Sequence, residues 1–440
     1  METAAANQNS ASMNEESTRL RLNFWLIALL IISFETLGRS IFLPLLGWYE
    51  PFVYFGLLIF FTLFFLNKLV KRQNFNSLEI YSILLMVLLP LQSGISSYYY
   101  WGQPLIFGIG SQRTWIFSLV AILLFYQLQT RKITVYEIRD SLLASAWGLL
   151  IIFSLIYVFF TPKRSTDVGY ISCNDVKGDC TYAFDVIFLC FAFIYYFISF
   201  VRKNSIRYLI FASAFLFYIF FLYNKRALSL SLLGTMGLYF LMNVSLKKII
   251  FYSALFIILL TSLISFLYIF KPEVITHMTN AYGDVLQVIQ GEQVHEASAN
   301  SRIKSVVTVG LFLAEHPSSV IFGNGNWSQN WAASPQLRYG RFYPSDVGLL
   351  GSLLIYGLLG IILVQFEFIL SYWWARQVKV YRKNIFFQSC LFFLLFFWVK
   401  SIPTGGSYFQ PGLGMPFTFL AVIYFFFYIE KRTNEKYLLG

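Results

Sequence analysis

The sequence predicts an all-α polytopic membrane protein with about 12 transmembrane helices. Three observations support this fold class. The 440 residues are 58% hydrophobic and only 12% charged, a composition far from that of a soluble domain. Apolar runs of roughly the 17 to 25 residues that a bilayer core requires recur along the chain. Short connections containing Gly, Pro, Lys or Arg separate these runs.

The individual spans follow from the lengths of the apolar runs and from the polar residues that end them. In chain order they cover residues 24–46, 52–67, 79–98, 105–127, 140–160, 183–201, 208–223, 227–244, 249–270, 347–374, 385–402 and 413–429. Helices one to nine therefore occupy residues 23–270, and helices ten to twelve occupy residues 347–429. The remaining residues form two tails and one large loop.

The N-terminal tail is polar and lacks the basic segment and short apolar segment of a cleavable signal peptide. We expect residues 1–22 to be a disordered cytoplasmic tail and the first span to be an uncleaved anchor. Most Lys and Arg residues then fall in connections on the side of the N-terminus, as the positive-inside rule requires. Both termini are predicted to be cytoplasmic, and residues 430–440 form the second tail.

The formal net charge of +12 also comes from Lys and Arg residues in the connections between spans. The basic residues cluster at the ends of apolar runs and do not form a stripe, so the pattern argues against nucleic-acid binding. The expected non-protein surroundings are membrane lipids.

Residues 271–346 form a large outer loop between spans nine and ten, and loops of this length are seldom without function. Within it, NSRIKSVVTVGLFLAEHP has apolar residues at helical spacing and a proline near its end. The pattern predicts an amphipathic helix capped by Asn300 or Ser301. The following FGNGNW is predicted to be a glycine turn.

Four cysteines are of two kinds. Cys190 and Cys390 lie in apolar runs, where a buried cysteine acts as a small hydrophobic residue. Cys173 and Cys180 lie in a polar outer loop at a spacing that a local disulfide can close. No histidine lies near them and no metal-ligand spacing occurs elsewhere, so the sequence predicts neither a metal site nor a cofactor.

Several basic residues lie where topology does not require them. Lys225 and Arg226 fill a tight outer connection, which runs against the positive-inside bias and favours Arg226 as a functional cation. Arg113 lies in the outer part of the fourth span, where it either reaches the headgroups or contacts a phosphate. Arg302 and Lys304 begin the predicted loop helix, where the macrodipole disfavours cations. Either they form a solvated face, or Arg302 and the helix N-terminus hold an anion together.

Three motifs, taken in order, resemble the O-antigen ligase and polymerase superfamily. They are NKRALSLSLLG at the start of a span, NSRIKSVVTVGLFLAEHPSSVIFGNG in the long loop, and DVGLLGSLLIYGLLG opening the next span. The match covers mainly residues 220–365. The resemblance implies a GT-C-like glycosyltransferase of the bacterial inner membrane that uses undecaprenyl-pyrophosphate-linked glycans on the periplasmic face.

The resemblance also assigns roles to residues. Arg226 and Arg302 match the two arginines that engage the donor pyrophosphate in the family. The ligases present a histidine shortly before the next span, whereas this chain has YPSD, with Tyr343 and Asp346. That departure favours a polymerase, which joins repeat units into long-chain polysaccharide. A ligase that transfers the glycan to lipid A core remains the alternative within the family.

The expected chemistry is metal-independent, inverting glycosyl transfer, because pyrophosphate is a good leaving group and arginine binds phosphate in a bidentate fashion. Asp346 either accepts the proton of the acceptor hydroxyl or caps the helix that follows. The predicted catalytic residues are Arg226, Arg302 and Asp346, and the predicted substrate-binding residues are Arg113, Lys225, Lys304, Arg338, Tyr339, Arg341 and Tyr343.

Donor and acceptor glycans are the expected partners, with a chain-length regulator as a possible protein partner. The rival class is a lipid-linked oligosaccharide flippase or another transporter, which should have polar, broken helices at mid-membrane.

Overall fold

The computed structural model describes residues 21–33, 49–159, 171–173, 180–182, 186–223, 226–244, 297–328, 344–404 and 414–438, together with positions 261, 265 and 268. All described elements are helical except one short hairpin. The α-helices, in chain order, are α1 (Phe24–Ser33), α2 (Tyr49–Val70), α3 (Ser77–Trp101), α4 (Leu105–Gly110), α5 (Leu119–Gln129), α6 (Val135–Phe159), α7 (Ile187–Lys203), α8 (Ile206–Phe217), α9 (Arg226–Asn243), α10 (Ala297–Glu315), α11 (Ser319–Phe322), α12 (Gly348–Gln377), α13 (Ile385–Thr404) and α14 (Gly414–Leu438). The hairpin pairs β1 (Ile171–Cys173) with β2 (Cys180–Tyr182).

Five described helices are long and apolar enough to cross a membrane. These segments are Phe52–Val70, Ser77–Trp101, Val135–Ile156, Gly348–Gln377 and Ile385–Thr404. Three shorter apolar helical segments accompany them, Arg113–Gln129, Ile206–Phe220 and Ala227–Asn243. The helical membrane architecture expected from composition is therefore present, and most predicted spans coincide with described helices.

Helix α3 shows how local sequence sets the span boundaries. Asn76 and Glu79 form a capping box, in which the Glu79 N–H donates to Asn76 Oδ1 at 2.9 Å and the Asn76 N–H donates to Glu79 Oε2 at 2.8 Å. At the other end, Gly102 adopts the left-handed conformation with φ 67° and closes the helix. The helix begins and ends within a few residues of the predicted span.

Polar contacts collect where the predicted topology places the cytoplasmic ends of the helices. Lys68 pairs with Glu79, and Arg139 Nε donates to Asp140 Oδ1 at 2.7 Å. Glu430 Oε1 accepts the N–H of Lys379 at 2.6 Å, which fixes the connection between α12 and α13. In that connection burial, assisted by the nearby Glu430 carboxylate, raises the pKa of Tyr381. These contacts hold the helix ends and their connections together at this end of the bundle.

The centre of the bundle is aromatic. The rings of Phe393 and Phe419 lie 4.6 Å apart, and Phe191 packs on Phe419 at 5.0 Å. All three side chains are buried. This cluster joins α7, α13 and α14, and α9 and α12 pack against α13 from outside the cluster. Helix α13 is therefore the element that α7, α9, α12 and α14 share.

The fourth predicted span is not continuous. Residues 105–127 form α4, then a 3₁₀ segment (Arg113–Ser118), then α5. Helix α12 is also broken, because Gly357 has φ 61° and ψ −177° inside it. Both breaks lie against the segment that follows α11.

Candidate functional site

The break in α12 receives a loop from the FGNG motif. At Gly357 the regular helical hydrogen bonds stop, which leaves backbone carbonyls without their usual donors. The Asn324 N–H donates to Leu354 O at 2.7 Å, and the Gly325 N–H donates to Ile355 O at 3.0 Å. The loop therefore satisfies part of the helix backbone from outside.

Two glycines make this joint possible. Gly323 has φ 70° and ψ 169°, a region that is open essentially to glycine alone. A Cβ at Gly323 would lie 2.2 Å from Ile355 O, and one at Gly357 would lie 2.3 Å from the Gly323 nitrogen. The two backbones meet with no room for a side chain on either one.

Helix α3 forms the second wall of the joint. Gln92 Nε2 donates to Phe322 O at 2.7 Å and also to Tyr356 O, so one side chain bridges the loop and the broken helix. The Asn326 N–H donates to Ser93 Oγ at 2.9 Å. A Cβ at Gly325 would lie 2.2 Å from Ser93 O. The loop is thus held between two membrane helices.

The broken fourth span completes the joint. Ser111 Oγ donates to Asn326 O at 3.2 Å, and Tyr356 OH donates to Gln112 Oε1 at 2.8 Å. Asn324 and Gln112 are 1% and 2% exposed. Among the described residues, Asn324 Oδ1 and Gln112 Nε2 have no hydrogen-bond partner. These two atoms can still form hydrogen bonds to a small polar group such as water.

Helix α10 begins earlier than predicted. It starts at Ala297, so Asn300 and Ser301 lie within it and neither is its cap. Its end at Glu315, before Pro317, agrees with the prediction. Position 302 therefore lies in the second turn of α10, and the hypothesis that Arg302 and the helix N-terminus hold an anion together stays a prediction.

One face of α10 packs on the membrane helices. Ser305, Val309 and Phe312 are buried on it, and Phe312 stacks on Trp101 with ring centroids 5.1 Å apart. Lys304 is exposed on the other side of the helix, with Val307 and Leu311. The side chain of Arg302 lies outside the described side chains, so its grouping with Lys304 stays a prediction.

A tight turn carries Asp346. Residues Pro344–Val347 form a 3₁₀ segment that packs against α10 and α13. The N-cap of α12 is Val347, so Asp346 lies one residue before the capping position that the alternative interpretation assigned to it. The turn is compact because Gly351 meets Pro344, and a Cβ at Gly351 would lie 1.7 Å from Pro344 O.

The same turn meets the end of α13. Gly348 has φ 56°, and a Cβ there would lie 2.0 Å from Ile402 O. Two residues before Ile402, Lys400 is only 8% exposed. Lys400 is not among the residues predicted from the sequence. Its signal was a lone lysine near the outer end of an apolar span, where the positive-inside rule predicts none.

Helix α9, which begins at Arg226, packs against α13. Tyr239 on α9 packs edge to face on Phe392 of α13, with ring centroids 4.9 Å apart. In the predicted topology the two helices are antiparallel and rise about 1.5 Å per residue, so Arg226 is level with the end of α13. By the same spacing it lies roughly 7 to 8 Å further out than Lys400.

The C-terminal end of α13 is thus the point where the turn with Asp346 packs, and the predicted topology brings Arg226 to the same level. The turn with Asp346 contacts both α13 and α10, and α10 is the helix that contains Arg302. Arg113 is exposed in the 3₁₀ segment beside the loop joint, deeper along the bundle. Predicted positions that lie outside the described residues are Lys225, Arg338, Tyr339, Arg341 and Tyr343.

A second buried charge was also missed. Glu367 is 3% exposed in the inner half of α12, where a carboxylate is unusual. Within the described residues, no group of three or more His, Cys, Asp or Glu side chains is arranged to hold a metal ion.

The hairpin bears on the predicted disulfide. Its register places Cys173 directly opposite Cys180. Opposed residues in antiparallel strands have Cα atoms about 4.5 to 5.5 Å apart, within the usual range for a disulfide. The backbone permits the bond, and the bond itself stays a prediction.

Comparison with known proteins gives no family assignment. No protein-family model matches the chain, and no curated protein matches it at a significant level. The functional assignment therefore depends on the motifs in the sequence and on the geometry at the outer end of α13.

Proposed function

We propose that this protein is an inner-membrane glycosyltransferase that polymerises undecaprenyl-pyrophosphate-linked repeat units into a surface polysaccharide at the periplasmic face. The proposal includes about 12 spans, a GT-C-like arrangement and cytoplasmic termini. One observation carries it. The turn with Asp346 contacts both the end of α13 and α10, the helix that contains Arg302, and the predicted topology brings the start of α9, with Arg226, to the same level.

The chemistry assigns one step to this site. A hydroxyl oxygen of the acceptor sugar attacks the anomeric carbon of the donor as the bond from that carbon to the phosphate oxygen breaks. Negative charge develops on the leaving pyrophosphate, and Arg226 and Arg302 stabilise it through charge-assisted hydrogen bonds. Asp346 accepts the hydroxyl proton. Attack opposite the leaving group inverts the anomeric configuration, and no metal ion is needed for the departure of pyrophosphate.

A transporter is the second candidate, because one structural feature favours it. Helix α12 and the fourth predicted span are both broken, and broken helices mark the substrate sites of many transporters. In those sites the freed backbone groups line a cavity. Here N–H groups of the FGNG loop donate hydrogen bonds to Leu354 O and Ile355 O, and the glycines of the loop are buried. This packing favours a fixed joint over a transport path.

Deletion of the gene separates these functions on a surface-polysaccharide gel. The polymerase proposal predicts a single capped repeat in place of a ladder, and complementation should restore the ladder. Loss of all capped glycan, with polymer accumulating on the lipid carrier, would indicate a ligase. Lipid-linked single repeats retained on the cytoplasmic side would indicate a flippase. An unchanged ladder would reject all three.

A further inference from the structure

The segment that follows α10 lies beside two membrane helices, well below their ends. It begins level with the end of α3, where Tyr100 OH and Ser318 Oγ are 2.7 Å apart. Four residues later, Phe322 O accepts hydrogen bonds from Gln92 Nε2 at 2.7 Å and from Ser96 Oγ at 3.2 Å. Helix α3 continues for nine and five residues beyond these two donors, which is roughly 13 and 8 Å along the helix. The segment therefore descends along α3.

Helix α12 gives the same depth independently. A Cβ at Gly357 would lie 2.3 Å from Ile321 O, so the two backbones are in contact. Gly357 follows Gly348, the first residue of α12, by nine residues, or roughly 13 Å of helix. Measured from either helix, residues 321 and 322 lie about 8 to 14 Å below the helix ends.

This depth falls within the apolar part of a bilayer. Helix α3 has 25 residues and is about 37 Å long, whereas the hydrocarbon core of a bilayer is about 30 Å thick. Tyr98 and Tyr99, near the end of α3, are exposed aromatic residues of the kind that marks a membrane interface. The two α3 residues that bind Phe322 O both lie deeper than these tyrosines.

The backbone of the turn is paired as the interior of a membrane requires. Irregular backbone at that depth must bond to protein, because water is not present to replace the missing partners. The Gly323 N–H donates to Ser319 O at 2.7 Å, and the next two N–H groups donate to carbonyls of α12. The Asn326 N–H donates to Ser93 Oγ at 2.9 Å. Each N–H group from residue 323 to residue 326 thus has a protein partner.

Two apolar side chains of the segment nevertheless remain uncovered. Ile321 and Phe322 are 47% and 51% exposed. The flanking helices also expose apolar residues near this depth, Ile95 on α3 and Leu358 and Leu359 on α12. An extended exposed apolar surface on membrane helices is a lipid-contact surface, and Ile321 and Phe322 continue it.

We propose that residues 318–326 re-enter the membrane and that Ile321 and Phe322 contact lipid acyl chains. The segment enters beside the end of α3 and turns at its two glycines against the break in α12. The sequence alone predicts that all of residues 271–346 lie outside the membrane, and the proposal differs for this segment. It does not depend on glycosyl transfer.

The first test uses photocross-linking of the full chain in liposomes of phosphatidylethanolamine and phosphatidylglycerol. The photoreactive residue p-benzoylphenylalanine replaces Ile321 or Phe322. Leu359, similarly exposed on a spanning helix, is the positive control, and Lys383, exposed in the connection before α13, is the negative control. Phospholipid adducts are measured by mass spectrometry after irradiation.

The proposal predicts adduct yields at positions 321 and 322 that are close to the yield at position 359 and well above that at position 383. Yields no higher than at position 383 overturn it. That outcome includes cross-links to this chain or to a second copy in place of lipid.

The second test measures water accessibility and does not need the photoreactive residue. Ile321→Cys and Lys304→Cys, both at exposed positions, are labelled in the same liposomes with a membrane-impermeant maleimide. Labelling is counted above that of the unsubstituted chain, which has four cysteines. Because the thiolate is the reactive form and does not form in hydrocarbon, Ile321→Cys should react about 10-fold or more slowly than Lys304→Cys. Denaturation should remove the difference, and equal rates in the folded protein would overturn the proposal.

Discussion

Gly323 offers the sharpest stability prediction, because it lies where the FGNG loop enters the break in α12. Gly323→Ala forces a side chain into a backbone conformation that costs about 1 to 3 kcal/mol. The new Cβ also lies 2.2 Å from Ile355 O, so the loop must move away. That movement breaks the Asn324 and Gly325 hydrogen bonds to α12, each of which contributes about 1 kcal/mol. The expected loss of unfolding free energy is about 4 kcal/mol.

The assay is thermal unfolding of the purified protein in detergent. For a chain of this length, a loss of about 4 kcal/mol corresponds to a fall in Tm of about 4 °C. Two other glycines serve as matched controls. Gly310 lies exposed on α10 with nothing within 4 Å of an added Cβ, so Gly310→Ala should leave the Tm unchanged or raise it.

Gly102 serves as a control for the cost of the positive φ angle alone, without a steric clash. It has φ 67° but open space around a Cβ, so Gly102→Ala should cost about 1 kcal/mol. Gly310→Ala should therefore have the highest Tm of the three variants, Gly102→Ala an intermediate Tm and Gly323→Ala the lowest. If Gly323→Ala unfolded at the same temperature as Gly102→Ala, the close contact between the loop and α12 would be refuted.

Three further predictions concern the outer face. Arg226→Ala and Arg302→Ala should each abolish long-chain polysaccharide at equal protein level on a complementation gel, and a normal ladder in either strain would reject the pyrophosphate clamp. Asp346→Asn should reduce the polymerisation rate at least 100-fold, the lower end of the usual contribution of a general base, with little change in donor KM; an unimpaired rate would remove its role as proton acceptor. Alkylation of Cys173 and Cys180 should require prior reduction by dithiothreitol, and labelling without reductant would rule out the disulfide.

Sequence reasoning located most of the described helices because membrane spans are set by local quantities. The predicted spans 79–98 and 385–402 correspond to Ser77–Trp101 and Ile385–Thr404. Apolar length and the polar residues at each end determine these boundaries, and both are visible in the sequence. The end of α10 before Pro317 was found for the same reason.

The helix breaks could not be predicted in this way. The apolar run at 105–127 is long enough for a continuous helix, yet the structure divides it. Its broken part contacts Asn326 and Tyr356, which are more than 200 positions away in the chain. Gly357 is one of several glycines in its helix, and only the approach of Gly323 distinguishes it. Such breaks depend on long-range backbone contacts that hydropathy does not record.

The roles of the candidate site residues stay predictions. The motifs selected Arg226, Arg302 and Asp346, and the structure shows that the turn with Asp346 contacts α13 and the helix that contains Arg302. They did not identify Lys400, because a single lysine near a span end resembles an ordinary interfacial residue. Its burial depends on the helices that pack around α13, which the sequence does not show.

Reconstituted polymerisation tests the central claim most directly. Purified protein in liposomes is supplied with the native undecaprenyl-pyrophosphate-linked repeat, and glycan length and released undecaprenyl pyrophosphate are measured together. The proposed function predicts a ladder of repeats with one carrier released for each linkage, and neither product from Arg226→Ala. Movement of the donor across the bilayer without any increase in glycan length would contradict it.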